Sequence, residues 1–307
     1  MWLNILQGTI EQGLIFSLLA LGVFLPFRIL DFPDLTVEGS FPLGASVAAV
    51  LIINGVNPFL ATFLAFGAGL LAGMLTGIIN TKLKITGLLA GILTMTSLYS
   101  INLRIMGRSN IPLLRETTIL TMIKEWGFPE QYLALSVFVI IVLFIKFLLD
   151  YFLCTEIGMA LRATGDSPVM IESLGGNTDH MKILGLGLAN GLVALSGALT
   201  CQYQGFADVG MGIGMIVVGL ASVIIGEVVI RTSKIIYATF GVIVGSIIYR
   251  LAIAIALQLG FAPTDLKIVT ALLVILALGA PSLRRFMIQD EFAERLMERS
   301  TSDAQVK

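Results

Sequence analysis

Long apolar runs are the feature that most constrains the fold of this chain. Nine segments near spanning length follow one another between clusters of proline, glycine or charge: 8–27, 36–55, 57–80, 86–106, 129–152, 183–203, 212–230, 235–258 and 264–280. A helix needs about 20 residues to cross the hydrocarbon core of a bilayer. Because backbone amides must be satisfied inside lipid, and the alternating pattern of barrel strands is absent, we expect these segments to be helices.

Composition supports the same interpretation. Charged residues make up only 13% of the chain and hydrophobic residues 57%, whereas a soluble domain carries about 25% charged residues. The sequence therefore predicts an all-α, polytopic transmembrane helical bundle with about 8–10 spans, some of them broken or re-entrant. We expect residues 1–283 to form the membrane domain, with a cytoplasmic segment at 155–182, and residues 284–307 to form a cytoplasmic tail.

The remaining bulk properties exclude several functional classes. A net charge of −1 argues against a nucleic-acid partner, which would favour a basic face. Cys154 and Cys201 lie far apart without CxxC spacing, so neither a disulfide nor a metal site is expected. The sole histidine, His180, is expected at the surface, and there is no Ser/His/Asp cluster. No GxxxxGK run followed by Ser or Thr occurs either, so the chain is not expected to hydrolyse ATP itself.

Lysine and arginine in the short loops predict the orientation. Four pairs fall on one side of a nine-span bundle: Lys82 and Lys84, Arg162 and Lys182, Arg231 and Lys234, and Arg284 and Arg285. Cytoplasmic loops carry such an excess, so this side and the C-terminus are expected in the cytoplasm, and the N-terminus outside. The outer loop 107–128 is also positive, and its charge suits contact with an acidic partner outside the membrane.

The first of two polar breaks in the apolar pattern is the stretch 31–45. It holds three carboxylates, two prolines and two glycines between two apolar runs. Proline removes a backbone donor and glycine loosens a helix, so this stretch is expected to be kinked or non-helical where it enters the bilayer. An ordinary cytoplasmic turn with solvated acids is the alternative.

The second polar break, 202–214, contains four glycines at short spacing. In discontinuous membrane helices such places turn helix ends toward a solute, although a tightly packed outer loop is the alternative. We expect both breaks to face a central cavity. The candidate substrate-pathway residues are Thr36, Glu38, Ser40, Gln204 and Asp208.

Charged residues within the spans allow three further expectations. Glu227 and Arg231 stand at i and i+4, as do Lys146 and Asp150, and both spacings favour a helical ion pair. Arg250 falls near the middle of its span. It is expected to snorkel, or to pair with Glu11 or Asp208.

The stretch 155–182 predicts a short capped helix between two spans. Ser167 suits the N-cap, Pro168 the first helical position and Gly175 the C-terminal cap. Thr178 can cap the span that follows. A helix tied to two spans can transmit force from a cytoplasmic partner into the membrane.

The run 158–178 resembles the cytoplasmic coupling segment of ATP-binding-cassette (ABC) importer permeases of the branched-chain amino acid and ribose-type family. The matching positions are Ala160, Leu161, Arg162, Ala163, Thr164, Pro168, Leu174, Gly175 and Asn177. The stretch 36–45 is similar to the polar stretch at the second span of that family, and 30–39 resembles permeases for tryptophan or tyrosine uptake. Glu227 departs from the family, where many relatives have a small residue, which puts a functional role for it in doubt.

This resemblance implies the permease subunit of an ABC importer for a small amino-acid-like solute, aromatic or branched-chain. It implies a cytoplasmic ATPase that binds ATP and magnesium, an extracytoplasmic substrate-binding protein, and a place in a prokaryotic plasma membrane. The chain itself is expected to hold no cofactor or metal. Because an ATPase dimer offers two docking clefts, two copies of this chain are expected around a two-fold axis. An ion- or proton-coupled secondary carrier is the alternative.

The coupling helix is expected to enter a groove on the ATPase. The candidate coupling residues are Arg162, Asp166, Pro168, Val169, Met170, Leu174 and Gly175. Of these, Val169, Met170 and Leu174 would make apolar contacts, while Glu172 and Ser173 would remain exposed to solvent. Arg162 would make an ionic contact at the groove rim, or pair with Asp166 within the chain.

Overall fold

A computed structural model describes residues 2–125, 130–232, 234–262, 265, 268–272 and 275. The helices are α1 (Trp2–Phe24), α2 (Val37–Ile53), α3 (Pro58–Lys82), α4 (Gly87–Met106), α5 (Ile119–Glu125), α6 (Glu130–Cys154), α7 (Glu156–Asp166), α8 (Pro168–Ser173), α9 (Thr178–Gln204), α10 (Met215–Val229) and α11 (Ile235–Gln258). A π-helical turn (Leu25–Ile29) extends α1, and a 3-10 turn (Val209–Gly212) precedes α10. The strands β1 (Asn110–Pro112) and β2 (Phe206–Asp208) pair antiparallel.

Seven of these helices are long and apolar enough to cross a membrane, and α2 is an eighth, shorter apolar helix. They coincide with the first eight predicted segments, so the polytopic all-α bundle is confirmed. The ninth predicted segment, 264–280, lies largely outside the described residues, and the expected tail, 284–307, lies wholly outside them.

Helices α1 and α9 form the centre of the bundle. In each of them 83% of the most apolar stretch is buried, against 28% in α4 and in α6. Glycines allow α9 to approach its neighbours closely. A Cβ at Gly44 of α2 would lie 1.9 Å from the carbonyl oxygen of Ala194, and one at Gly73 of α3 would lie 2.1 Å from that of Leu186. Backbones this close are typical of membrane helices that pack through small residues.

The two ends of the bundle differ. At the coupling end, where α7 and α8 lie, α3 ends and α9 begins, and the ammonium of Lys82 is 2.9 Å from the carboxylate of Asp179. At the opposite, sheet end, α4 leads into β1 and α9 leads into β2. The order of spans therefore places two of the four expected cytoplasmic regions, those of Lys82 and Lys84 and of Arg162 and Lys182, at the coupling end.

Two of the helices start partway through the bundle. The hydroxyl of Ser40 donates to the side-chain oxygen of Asn190, near the middle of α9, at 2.7 Å. The first turn of α2 therefore lies at about half depth, and residues 30–36 cover the coupling half without helix. Helix α10 alone has 15 residues, or about 22 Å at 1.5 Å per residue, and reaches spanning length only together with the 3-10 turn before it, as the stretch Val209–Val229 of 21 residues. Of the expected break at 31–45, residues 31–36 are non-helical as predicted, whereas 37–45 are helical and include Pro42.

Candidate functional site

The two polar breaks meet at Glu38. One carboxylate oxygen of Glu38 accepts a hydrogen bond at 3.0 Å from the backbone N–H of Gly214, the residue that caps α10. A Cβ at Gly212 would lie 2.0 Å from the backbone oxygen of Glu38. Glu38 also lies in the first turn of α2. The N-termini of two helices therefore stabilise one negative charge at about half depth.

A buried network lies beside this point, centred on Asp34 and Asn190. One carboxylate oxygen of Asp34 accepts from the backbone N–H of Thr36 at 2.9 Å, and the other accepts from the side-chain amide of Asn190 at 2.7 Å. The hydroxyls of Thr36 and Thr76 are 2.8 Å apart. Asp34 is only 4% exposed, and in the described part of the chain no cation pairs with it. These bonds join the non-helical segment to α3 and α9.

Three of the predicted pathway residues lie in or beside this network. Thr36 and Ser40 are fully buried in a single copy of the chain, and both hydroxyls bond inside the network. Glu38 is half-buried. Asp34 and Asn190 were missed by sequence reasoning. The available signal for Asn190 was an amide in the middle of an apolar, glycine-rich span.

The other two predicted pathway residues lie at the sheet end. Gln204 is exposed at the end of α9. Asp208 accepts from the side-chain amide of Asn110 at 3.2 Å and from the backbone N–H of Gly210 at 2.7 Å. Asp208 therefore holds β2 to β1 and starts the 3-10 turn, and neither residue bonds to Glu38.

Helix α4 has a polar stripe on its exposed side. It is the least apolar of the seven long helices, and the side chains of Thr96, Ser97 and Ser100 are exposed on one face. The hydroxyls of Thr96 and Ser97 donate to backbone oxygens of the preceding turn, so they are satisfied within the helix. As acceptors they also suit a water-filled path or a second protein chain. Sequence reasoning treated 86–106 as an ordinary span and missed the stripe, although its spacing of three and four residues is visible in the sequence.

Helix α4 packs on the Glu38 break through its buried face, which is opposite the polar stripe. A Cβ at Gly39 would lie 3.1 Å from the Cα of Met95 in α4. The side-chain amide of Asn102 donates to the backbone oxygen of Gly39 at 3.2 Å. The structure thus brings together two half-helices, a carboxylate and the buried face of α4, and leaves the polar stripe exposed on the far side of α4.

The coupling helix presents the apolar residues that the sequence predicts. In α8 and just after it, Val169, Met170 and Leu174 are 76%, 57% and 72% exposed, while Ile171 is buried. Pro168 stands at the first helical position, and Gly175 has the left-handed φ of +80° expected of a C-terminal cap.

The capping predictions were wrong in two details. The Ser167 side chain makes no capping hydrogen bond. The cap of α9 is Asn177, which accepts from the backbone N–H of His180 at 3.1 Å. Thr178 is one residue too late, and its hydroxyl instead donates to the carboxylate of Glu172 at 2.8 Å. The turn between α8 and α9 is therefore held by the Asn177 cap of α9 and by the bond of Thr178 to Glu172 in α8.

Helix α7 precedes α8 and packs closely on the membrane helices. A Cβ at Gly165 would lie 1.9 Å from the carbonyl oxygen of Ile29, and one at Gly158 would lie 2.2 Å from that of Phe152. Leu161 is fully buried. Ile29 ends the π-helical turn, immediately before the non-helical segment that leads to Glu38. The coupling segment thus contacts the start of the broken region directly.

The charged side chains differ from two of the predictions. Glu227 pairs with Arg28 at 2.8 Å, and not with Arg231, because the π-helical turn brings Arg28 across to α10. Arg250 pairs with neither Glu11 nor Asp208. Its guanidinium lies 3.8 Å from the centre of the Phe16 ring, where a cation–π contact replaces the ion pair.

Two further charge predictions have different outcomes. The ion pair of Lys146 with Asp150 is confirmed, and Asp150 also accepts from the hydroxyl of Thr239 at 2.6 Å. Arg162 and Asp166 form no ion pair with each other. Instead they line a common cleft at the coupling end.

No group of three His, Cys, Asp or Glu side chains in the described residues could hold a metal ion. Both cysteines are free, Cys154 exposed and Cys201 buried. The site therefore consists of polar helix faces and helix ends, which suit the passage of a solute.

Comparison with known proteins gives consistent results. Residues 5–278 match the family model described as the permease component of branched-chain amino acid transport systems. A tyrosine transport system permease protein of Clostridioides difficile is 46% identical over 90% of this chain and 91% of that protein. An uncharacterised protein of Rickettsia prowazekii is 34% identical over 91% and 98%. Among solved structures, a metal-chelate type ABC transporter in an inward-facing conformation has a TM-score of 0.47 at 17% identity, covering 92% of this chain and 85% of that one.

Proposed function

This chain belongs to the family of permease components of branched-chain amino acid transport systems, and from that premise we propose that it moves an aromatic amino acid along the polar face of α4. Members of this family are permease subunits of ABC importers. They have no ATP site of their own and work in the membrane with a partner ATPase. Family membership therefore weighs against the alternative of an ion-coupled secondary carrier.

The observation that carries the proposal is the polar stripe on the exposed face of α4, the helix whose buried face packs on the Glu38 break. Three hydroxyls on one exposed face of a span offer hydrogen-bond acceptors to water or to a polar solute, and a carboxylate at half depth marks a functional region of a membrane protein. Half-helices whose N-termini point at a shared site are typical of transporters. In this proposal the stripe borders the path, while Glu38, Thr36 and Ser40 hold the broken helix in place behind α4.

A second copy of the chain completes the path. One polar stripe offers half of a channel wall, and a two-fold axis along α4 supplies the other half. The same symmetry gives two α8 helices, one for each subunit of an ATPase dimer. ATP and magnesium bind that ATPase and not this chain.

The solute class follows from the relative with the highest identity above, whose name specifies tyrosine transport. The solute would arrive on an extracytoplasmic binding protein. Arg104, Arg108 and Arg115 at the sheet end are exposed and form no ion pair within the described residues, which supports an acidic docking partner. The coupling end and the C-terminus would then lie in the cytoplasm of a prokaryotic cell.

The coupling residues act from the opposite end. Val169, Met170 and Leu174 would fill an apolar groove of the ATPase, with Pro168 and Gly175 fixing the ends of α8. Because α7 packs on Ile29, movement of α8 would reach the non-helical segment without an intervening flexible link. Arg162 and Asp166 would lie at the rim of that contact.

Cysteine labelling tests the path. In a Cys154→Ser background, Ser97→Cys and Ser100→Cys in intact membranes should react with a water-soluble maleimide, because their face borders water. Leu143→Cys is the matched control, since Leu143 is 51% exposed on the apolar face of α6 and should stay unlabelled. Labelling at 97 and 100 no greater than at 143 would show that α4 faces lipid or a dry contact, and would overturn the proposed path.

A further inference from the structure

A cleft of about 1080 Å³ opens at the coupling end, between the end of α1, α7 and the turn that joins α10 to α11. It is lined mainly by polar and charged side chains. The charged ones are Arg28, Arg162, Arg231, Lys234, Asp166 and Glu227. The proposed solute path uses none of them.

The charges in this cleft do not balance. Arg28 and Glu227 neutralise each other as an ion pair at 2.8 Å. Arg162, Arg231 and Lys234 form no ion pair within the described residues, and Asp166 is the one remaining carboxylate among the lining residues. With one carboxylate against three cations, the cleft has an excess of positive charge, and the cations repel one another unless an anion enters. The cleft therefore favours an anionic ligand.

The surroundings of the cleft indicate which anion. Ile230 and Ile235 line it together with the cations. Next to them, Val229, Ile236 and Tyr237 are 53%, 53% and 54% exposed. Charged and exposed apolar surfaces thus meet at the end of two spans, where the bilayer surface lies. A ligand with an anionic head and apolar tails contacts both surfaces, whereas free phosphate contacts only the first.

We propose that this cleft binds the phosphate headgroup of an anionic phospholipid from the leaflet at the coupling end. Basic pockets between membrane helices bind such headgroups, and arginine forks match phosphate oxygens in pairs. The acyl chains lie along Val229 and Ile236. This site is independent of the solute that the permease carries.

The position of the cleft gives the lipid a mechanical role. Arg162 belongs to α7, whereas Arg231 and Lys234 belong to the α10–α11 turn. A phosphate held between them links the coupling segment to the C-terminal end of α10. The N-terminal cap of α10, Gly214, bonds to Glu38. The lipid therefore stabilises one relative position of α7 and α10.

Lipid retention tests this proposal. The complex with its ATPase is purified from vesicles containing equal amounts of phosphatidylglycerol and phosphatidylcholine, and bound lipid is counted by native mass spectrometry. Wild type should retain phosphatidylglycerol in preference by about tenfold, a difference of about 1.4 kcal/mol. Arg231→Gln with Lys234→Gln should lose that preference. Lys84→Gln with Lys182→Gln removes the same charge at the same end but outside the cleft, and should keep it.

Two further arms assign the source of the anion. Inorganic phosphate at millimolar concentration should not displace the lipid. The variant with Arg231→Lys and Lys234→Arg, which keeps both positive charges, should retain the lipid as wild type does. Equal retention by the cleft variant and its control would overturn the proposal. So would displacement by inorganic phosphate, which would assign a free-anion site, or lipid bound by the chain alone but expelled by the ATPase, which would assign the cleft to a protein contact.

Discussion

Asn190 is the residue on which the broken region depends most. It donates to Asp34 at 2.7 Å and accepts from Ser40 at 2.7 Å, and it is fully buried. Buried carboxylates are tolerated only when their oxygens are satisfied. One oxygen of Asp34 accepts from the Thr36 backbone N–H and the other from Asn190. Its amide thus holds the non-helical segment against the central helix.

We predict that Asn190→Ala destabilises the permease by about 3 kcal/mol, because it leaves one oxygen of a buried carboxylate unpaired. The thermal unfolding midpoint in detergent measures this. Asn54→Ala, at an exposed helix end, is the control and should stay within about 0.5 kcal/mol of wild type. Adding Asp34→Asn to Asn190→Ala should recover part of the loss. If the double variant is no more stable than Asn190→Ala, the buried charge is not the cause.

The sequence predicts a residue's chemistry better than its partner. Glu38 was identified as a pathway residue because three carboxylates interrupt an apolar run, which is a local signal. Its partner, the backbone of Gly214, comes from a segment far along the chain. Separation along the chain also explains the prediction for Glu227. The helical spacing pointed to Arg231, whereas the observed partner, Arg28, belongs to a distant segment.

At the scale of elements, spans are predictable because length and apolarity are properties of a single segment. Each of the first eight segments corresponds to a helix of the bundle. The starts of α2 and α10 at half depth are less predictable from the sequence. Proline and glycine in 31–45 and 202–214 locate the breaks, but only the contact of Ser40 with Asn190 gives their depth. The polar stripe of α4 follows a helical spacing that the sequence contains, but the high average apolarity of the segment conceals it.

In the proposed function, helix α8 connects ATP hydrolysis outside this chain to movement inside it. Its apolar side chains are exposed, and α7, which precedes it, packs on Ile29. A six-residue helix is too short to be stable alone. Its shape therefore depends on Pro168, on the Gly175 cap and on the bond of Thr178 to Glu172.

We predict that Met170→Asp abolishes ATPase binding, because a charge buried unpaired in an apolar groove costs a few kcal/mol. Co-purification of the ATPase with tagged permease measures this. Ser173→Asp adds the same charge to the other side of α8, where Ser173 is exposed, and should retain the ATPase. If Met170→Asp binds the ATPase as Ser173→Asp does, α8 is a connector and not the coupling element.

At the scale of the whole molecule, the two ends of the bundle have separate roles in this account. The sheet end carries exposed arginines and suits an acidic delivery protein. The coupling end carries an apolar helix and a basic cleft, and suits an ATPase and a lipid. Between them lie two half-helices joined at Glu38, so that rearrangement at one end reaches the other through a discontinuity and not through a rigid rod.

Reconstituted transport tests the central claim that this bundle is an ATP-driven amino acid permease. The chain, its ATPase and its binding protein are placed in proteoliposomes, and uptake of labelled tyrosine is followed. We predict accumulation that requires ATP and both partners, persists when proton and sodium gradients are collapsed, and is lost with Met170→Asp. Uptake by the chain alone, driven by an ion gradient and indifferent to ATP, would contradict the account and assign the chain to the secondary carriers.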